Sequence, residues 1–334
     1  MAFVALGRVV DPRDDFGGGI CPQVTMDSRR DKMRLFKNYA ASGGVGGLIL
    51  GSSRSMKLDP KQLESRLGVR FFNFSVDSAR AEDLLAIYRW VRRQGATPHY
   101  LVLGLDVEAL HDDDQADHRL QENAELLAGL RGRVGVAGAL DRVAADAATY
   151  KDLFTAAYVA DAARSVARCL RPSRHAGAAT EFDPDGYLRY VKLERERAAG
   201  TFDLDRQISD SLEGYVLRFR GMHDLSPRRR QDLEQLIHEA KVDGVVVKVW
   251  ITALHPRTAR YLGERTAYAE LLSRTRALVA RLRDTWGIDA YDYSAPERFA
   301  GSLTAWYDGG HIDETNAELV AAGLAGPSRD AGRP

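Results

Sequence analysis

The chain has 334 residues, enough for one large domain or two smaller ones, and the composition of an ordinary globular protein. Its 47 basic and 47 acidic side chains cancel, which argues against a broad electrostatic grip on nucleic acid or on an anionic membrane. Two cysteines, Cys21 and Cys169, are too few for a disulfide framework or a cysteine-based metal site.

Residues 1–10 are apolar but far too short to span a bilayer, charged residues follow at once, and no signal-peptide pattern stands out. The expectation is a cytoplasmic protein without a membrane span, with 1–46 as an N-terminal extension. The apolar run 47–50 reads as the first buried strand and ends in Gly51-Ser52-Ser53-Arg54. Further strands are expected at 69–76, 100–105, 245–251 and 288–291. Helical spacing lies between them. Residues 79–93 put Leu84, Leu85, Tyr88 and Val91 on one face. Residues 227–241 follow Ser226 as N-cap with Pro227 at the first helical position, and 264–286 carry Leu271, Leu272, Leu278, Val279 and Leu282. Strands alternating with helices predict an α/β fold, a doubly wound and mostly parallel five-stranded sheet of flavodoxin-like type.

The alternation fails over 107–225, where helices are expected near 117–130 and 150–170, a turn at 182–187 and a further helix over 187–198. This stretch reads as a largely helical insertion capping the sheet. The α/β domain is then 47–106 with 226–324. Residues 325–334, rich in Gly, Pro and charge, are expected to be a disordered tail.

Functional groups of a doubly wound sheet gather in the loops after the C-terminal strand ends, where Gly51-Ser52-Ser53 falls. A turn there can present hydroxyls and backbone N–H groups to a cleft, or can simply cap a helix. Asp308-Gly309-Gly310-His311 follows the last strand and precedes a helical pattern over 312–324. Its three-residue offset lets the carboxylate fold back onto Nδ1 and leaves Nε2 for a serine. Asp308 is the only Asp three positions before a His in the chain.

In this order the motifs resemble the SGNH (GDSL-type) serine hydrolase superfamily, nearest its Gly-Ser-Ser-Arg branch, which includes alginate-type polysaccharide O-acetylation proteins. The likeness spans about 47–106 and 244–324. It implies Ser53 as nucleophile, His311 as base, Asp308 as orienting carboxylate, and the N–H groups of Ser53 and Ser78 as oxyanion hole. Asn73-Phe74-Ser75-Val76-Asp77-Ser78-Ala79 is similar to the second family block, with Ser78 at the usual glycine. Gly104-Leu105-Asp106 is similar to the third, with Asp106 at the usual asparagine. An ionised carboxylate donates no hydrogen bond and repels an oxyanion. Asp106 is therefore expected to be protonated, turned away or paired with Arg54. Arg54 has three readings: offsetting Asp106, binding an anionic substrate group, or a plain salt bridge.

The resemblance implies transfer of a small acyl group of a sugar or sugar-containing metabolite, without a cofactor. Water as acceptor makes an O-acyl esterase, and a hydroxyl makes an O-acyltransferase. The rival is a catalytically weakened protein of the same fold that binds carbohydrate or a protein partner. No Gly-x-Gly-x-x-Gly or Gly-x4-Gly-Lys-Ser/Thr stretch follows a strand, which disfavours nucleotide binding. Weaker signals are the acidic run His111-Asp112-Asp113-Asp114 with Asp117 and His118, read as a solvated loop before a metal site. Arg228-Arg229-Arg230 reads as a solvated face. Lys248, Trp250 and above all His255 are candidates to line a cleft.

Overall fold

A parallel sheet organises the structure, a computed structural model that describes residues 9–10, 21, 27–113, 116–130, 156–170 and 181–326. Its strands are β1 (Gly47–Leu50), β2 (Phe71–Asn73), β3 (Tyr100–Leu105), β6 (Val246–Ile251) and β7 (Asp289–Asp292), in the order β2-β1-β3-β6-β7. Every ladder in it is parallel. A separate antiparallel hairpin joins β4 (Glu181–Phe182) to β5 (Leu188–Arg189). The helices are α1 (Ser28–Ala41), α2 (Pro60–Leu67), α3 (Ala81–Arg93), α4 (His118–Gln121), α5 (Ala124–Leu130), α6 (Ala156–Leu170), α7 (Val191–Ala198), α8 (Leu204–Phe219), α9 (Pro227–Val242), α10 (Pro256–Arg265), α11 (Tyr268–Trp286) and α12 (Glu314–Ala325).

The sheet is buried on both faces, which is why its strands read as unbroken apolar runs. Leu48, Leu50, Leu101, Leu103, Val247 and Val249 face a core shared with α1, α3, α9 and α11. Ile49, Phe71, Val102 and Trp250 face a smaller core closed by α2 and α12. The chain passes from β1 to β2 on one side and then to β3 on the other. That reversal between β1 and β3 is the switch point at which such sheets build their sites.

The doubly wound sheet is as expected, and several boundaries move for physical reasons. The strand expected over 69–76 stops at Asn73, whose Nδ2 donates to Ser55 O and Leu58 O while its Oδ1 takes Ser75 N. The helix expected over 264–286 divides at Thr266, which is extended (φ −142°, ψ 174°). Only Val191–Ala198 of the helix expected over 187–198 forms, because Leu188 and Arg189 pair with β4. Helix α8 lies where no helix is expected. Ser226 caps α9 through Arg229 N at 3.3 Å. Of the helix expected over 150–170, residues 156–170 are helical, and 150–155 lie outside the described residues, as does the tail from 327 on.

Two charged readings change. Arg229 is buried, not solvated, because its Nε reaches Glu82 Oε2 at 3.0 Å and its Nη1 reaches Asp113 Oδ1 at 2.8 Å. The acidic run is likewise structured: Asp113 also pairs with Arg80, and Asp112 accepts from His223 N and Asp224 N. Asp114 and the His118 side chain lie outside the described residues. The two cysteines are joined: Cys21 and Cys169 form one disulfide with Cα atoms 5.2 Å apart, tying residue 21 to α6.

Helix α1 is bound into the domain by charge as well as by Met33 and Phe36. Arg29 Nε and Nη2 meet Asp83 Oδ1 at 2.9 and 2.8 Å, both side chains without solvent exposure. Asp83 Oδ2 also accepts from Arg80 N at the start of α3. Arg29→Ala leaves a buried carboxylate without its cation, so stability measured by urea unfolding is expected to fall by about 3–5 kcal/mol. A loss below about 1 kcal/mol would contradict the pairing.

Candidate active site

β1 and β3 end side by side, and their last residues pack closely. A Cβ on Gly104 would lie 1.9 Å from Ser55 Oγ, and one on Gly51 would lie 2.3 Å from the same atom and 3.0 Å from Gly104 O. Close approach, not an unusual φ, thus requires glycine at both positions. After Gly51 the chain enters a short 3-10 turn, Ser53–Ser55, capped by Ser52 Oγ, which accepts from Arg54 N at 3.1 Å. The capping role weighed for this serine-rich turn belongs to Ser52, and the Ser53 hydroxyl takes no part in it.

His311 reaches Ser53 from the far end of the chain. Asp313 N donates to Ala305 O at 3.0 Å, Tyr307 N to His311 O at 2.7 Å, and an antiparallel bridge joins Trp306 to Ile312. These contacts fold 305–313 into a tight hairpin with Asp308 and His311 at its tip. His311 Nε2 lies 2.8 Å from Ser53 Oγ, and His311 Nδ1 lies 2.9 and 2.8 Å from Asp308 Oδ1 and Oδ2. Asp308 Oδ1 also accepts from Gly310 N and His311 N at 2.7 and 2.9 Å. Burial alone would raise the Asp308 pKa; the His311 charge and these N–H groups outweigh it and hold the carboxyl at about 2.

Ser78 stands in the left-handed region with φ 49°, a backbone that glycine usually supplies. The N–H groups of Ser53 and Ser78 have no acceptor among the described residues. Asp106 pairs with Arg54, the third of the outcomes weighed for it. Its Oδ1 accepts from Thr252 Oγ1 at 2.6 Å and lies 3.7 Å from Arg54 Nη1. Arg54 is buried, donates to both oxygens of Glu108 and to Thr252 Oγ1, and lies 5.4 Å from the Tyr215 ring. Burial would lower the Arg54 pKa, but Asp106 and Glu108 outweigh it and raise it above its ordinary value. Its charge is paired with these carboxylates, the salt-bridge and Asp106-offsetting arrangement weighed for it, while its Nε is buried without a hydrogen-bond partner among the described residues.

The segment beyond β3 adds residues that the sequence did not single out. The Tyr190 ring meets His311 edge-on at 6.0 Å, and Tyr215 Oη lies where a Cβ on Gly310 would fall. Neither phenol hydroxyl has a hydrogen-bond partner among the described residues. Burial, then the Asp308 charge, push both phenols well above their ordinary values, so they remain protonated donors. Lys57, four positions after Ser53, donates to Leu188 O and Glu314 Oε1, with the Tyr187, Tyr190 and Tyr307 rings around it. Thr252 and Glu108 stand just after strand ends, a signal that sequence reading could have used. Tyr190, Tyr215 and Lys57 carried none.

No family model matches the chain, and no curated protein matches it. The remaining candidates stand outside the Ser53–His311–Asp308 relay. His255 braces the hairpin from outside the relay: its N donates to Gly309 O at 3.0 Å, its Nδ1 caps α10 by accepting from Arg257 N, and its ring lies edge-on to Trp306 at 5.4 Å. Lys248 pairs with Asp289 and Tyr291, and Trp250 is in the core. Among the described residues no group of three or more His, Cys, Asp or Glu could hold a metal.

The Asp308 shift has a defined sign. A carboxyl depressed to about 2 from 3.8 contributes stability that is complete above its unfolded value and lost as pH falls from there through about 2. Asp308→Asn is expected to flatten the loss of stability between about pH 4 and pH 2 in acid unfolding. An unchanged acid limb would contradict the charge-assisted pairing with His311.

Proposed function

We propose that this chain is a serine acyl-transfer enzyme of SGNH type. The observation that carries the proposal is the continuous relay from Ser53 Oγ through His311 to Asp308, beside backbone donors left free at Ser53 and Ser78. Support also comes from position: Ser53 follows β1, Ser78 follows β2, Asp106 follows β3, and the Asp-His hairpin follows β7.

In this reading His311 Nε2 takes the Ser53 proton as Oγ attacks an ester carbonyl. Asp308 holds the Nδ1 tautomer and stabilises the imidazolium. The Ser53 and Ser78 N–H groups receive the oxyanion. The imidazolium returns its proton to the departing alkoxide, leaving an acyl group on Ser53. Water or a substrate hydroxyl, deprotonated by His311, then takes the acyl group and regenerates Ser53. A sugar or sugar-containing metabolite carrying a small acyl group is the substrate class implied by the resemblance. The second reading, a weakened enzyme that binds carbohydrate or a protein partner, is favoured by Asp106 alone.

No helix among the described residues is long and apolar enough to cross a membrane. The Cys21–Cys169 bridge favours an oxidising compartment over the cytoplasmic setting expected from sequence. Free thiol in the purified protein, assayed unfolded without reductant, would remove that argument.

A fluorophosphonate is expected to add once to the native protein and not to Ser53→Ala, as read by intact mass. A folded protein that takes no adduct would overturn the proposal. Asp106 Oδ2 has no partner among the described residues, so Asp106→Asn can place an amide donor there while Oδ1 keeps Thr252. The labelling rate of that variant is expected to rise by at least about tenfold. A fall would mean that the carboxylate itself works in the reaction.

A further inference from the structure

Two cations fasten the segment 181–203 to the two loops that must meet for Ser53 and His311 to touch. Lys57, four positions after the nucleophile, holds Leu188 O. Arg197, in the last turn of α7, holds the hairpin of the base. Its Nη2 donates to Trp306 O on one stem, and its Nη1 meets Asp313 Oδ2 on the other at 2.6 Å. Its guanidinium plane lies 4.4 Å from the Tyr307 ring and 4.5 Å from Phe202.

The geometry of this grip is specific. Trp306 and Asp313 flank the six residues 307–312 that present Asp308 and His311, so a single side chain spans both stems of a hairpin already closed by backbone bonds. Asp313 is used on both sides: Oδ1 caps α12 through Thr315 N at 2.9 Å, and Oδ2 takes Arg197. Rotation of the hairpin about its stems would carry His311 Nε2 off Ser53, and the bidentate grip with ring stacking opposes that rotation. Guanidinium is the side chain suited to this, because its planar fork meets two acceptors while its face lies on aromatic rings. An ammonium can keep the Asp313 charge but not the fork.

We infer that Arg197 is a positioning residue for the triad, reaching across from the segment over the sheet to set where His311 stands relative to Ser53. This rests on the acyl-transfer reading of the triad. Arg197 touches neither Ser53 nor His311, and acts through Trp306 O and Asp313.

The test measures the second-order rate of Ser53 phosphonylation against pH for the wild type, Arg197→Ala and Arg197→Lys, at a temperature where each is folded. Arg189→Ala, which breaks only the exposed pair with Asp183, serves as control. The expected result is a loss of about ten- to hundred-fold in Arg197→Ala with a displaced pH midpoint. Partial recovery is expected in Arg197→Lys and the wild-type rate in the control. Arg197→Ala reacting at the wild-type rate with an unmoved midpoint would overturn the inference, whatever happens to its thermal stability. Should Arg197→Ala not fold, the same result for Arg197→Lys overturns it. If the wild type takes no phosphonate, the acyl-transfer reading has failed. The His311 imidazole titration followed by nitrogen-15 NMR then decides the positioning role alone: a changed titration in Arg197→Lys upholds it, and an unchanged one overturns it.

Discussion

Everything at the candidate site depends on one contact, the 2.8 Å between Ser53 Oγ and His311 Nε2, made by residues 258 positions apart. A contact so distant in sequence carries no local preference of its own and must be imposed by the scaffold. The parallel sheet does this, because all its strands deliver their following loops to the same edge. The turn after β1 stays close to β3 because Gly51 and Gly104 leave room only for Ser55 between them. The hairpin after β7 is closed by its own backbone bonds before any side chain is considered. Rigid backbone on both sides allows an imidazole to be aimed with hydrogen-bond precision.

Around that contact, charge is neutralised in local pairs and not left to solvent. Arg54 faces Asp106 and Glu108, Lys57 faces Glu314, and Arg197 faces Asp313. Unpaired buried charges would cost several kcal/mol each, so such pairs fix positions more than they add stability. For Asp106 this matters chemically. A carboxylate beside an oxyanion hole is unfavourable, and the adjacent guanidinium with the Thr252 hydroxyl engages the oxygen nearest to it. The donors proposed for the oxyanion are main-chain N–H groups, which do not depend on side-chain identity. That is why serine can stand at position 78 once the fold supports its φ of 49°.

The sequence revealed those features that local chemistry controls. Buried parallel strands appear as apolar runs, so the five strands could be placed, and Ser226-Pro227 announced a helix start. Asp308-x-x-His311 was visible because three residues suffice to fold a carboxylate onto an imidazole. Features set by remote partners were not visible. Asn73 ends β2 through bonds to Ser55 and Leu58, and α8 buries little beyond Ile208, Tyr215 and Phe219, leaving a faint apolar pattern. Arg229 reads as one of three surface arginines until Glu82 is brought to it. The pairing of Cys21 with Cys169 spans 148 residues, and Arg197 is one arginine among many until the hairpin meets it.

The central claim is that Ser53 forms a covalent acyl intermediate activated by His311. Rapid mixing with p-nitrophenyl acetate tests it most directly, with quenched samples mapped by peptide mass. The account predicts a burst of nitrophenol close to one equivalent of protein, with the acetyl group on Ser53, and neither burst nor adduct in His311→Ala. Nitrophenol release without an acetylated Ser53, or an equal burst in His311→Ala, would contradict it.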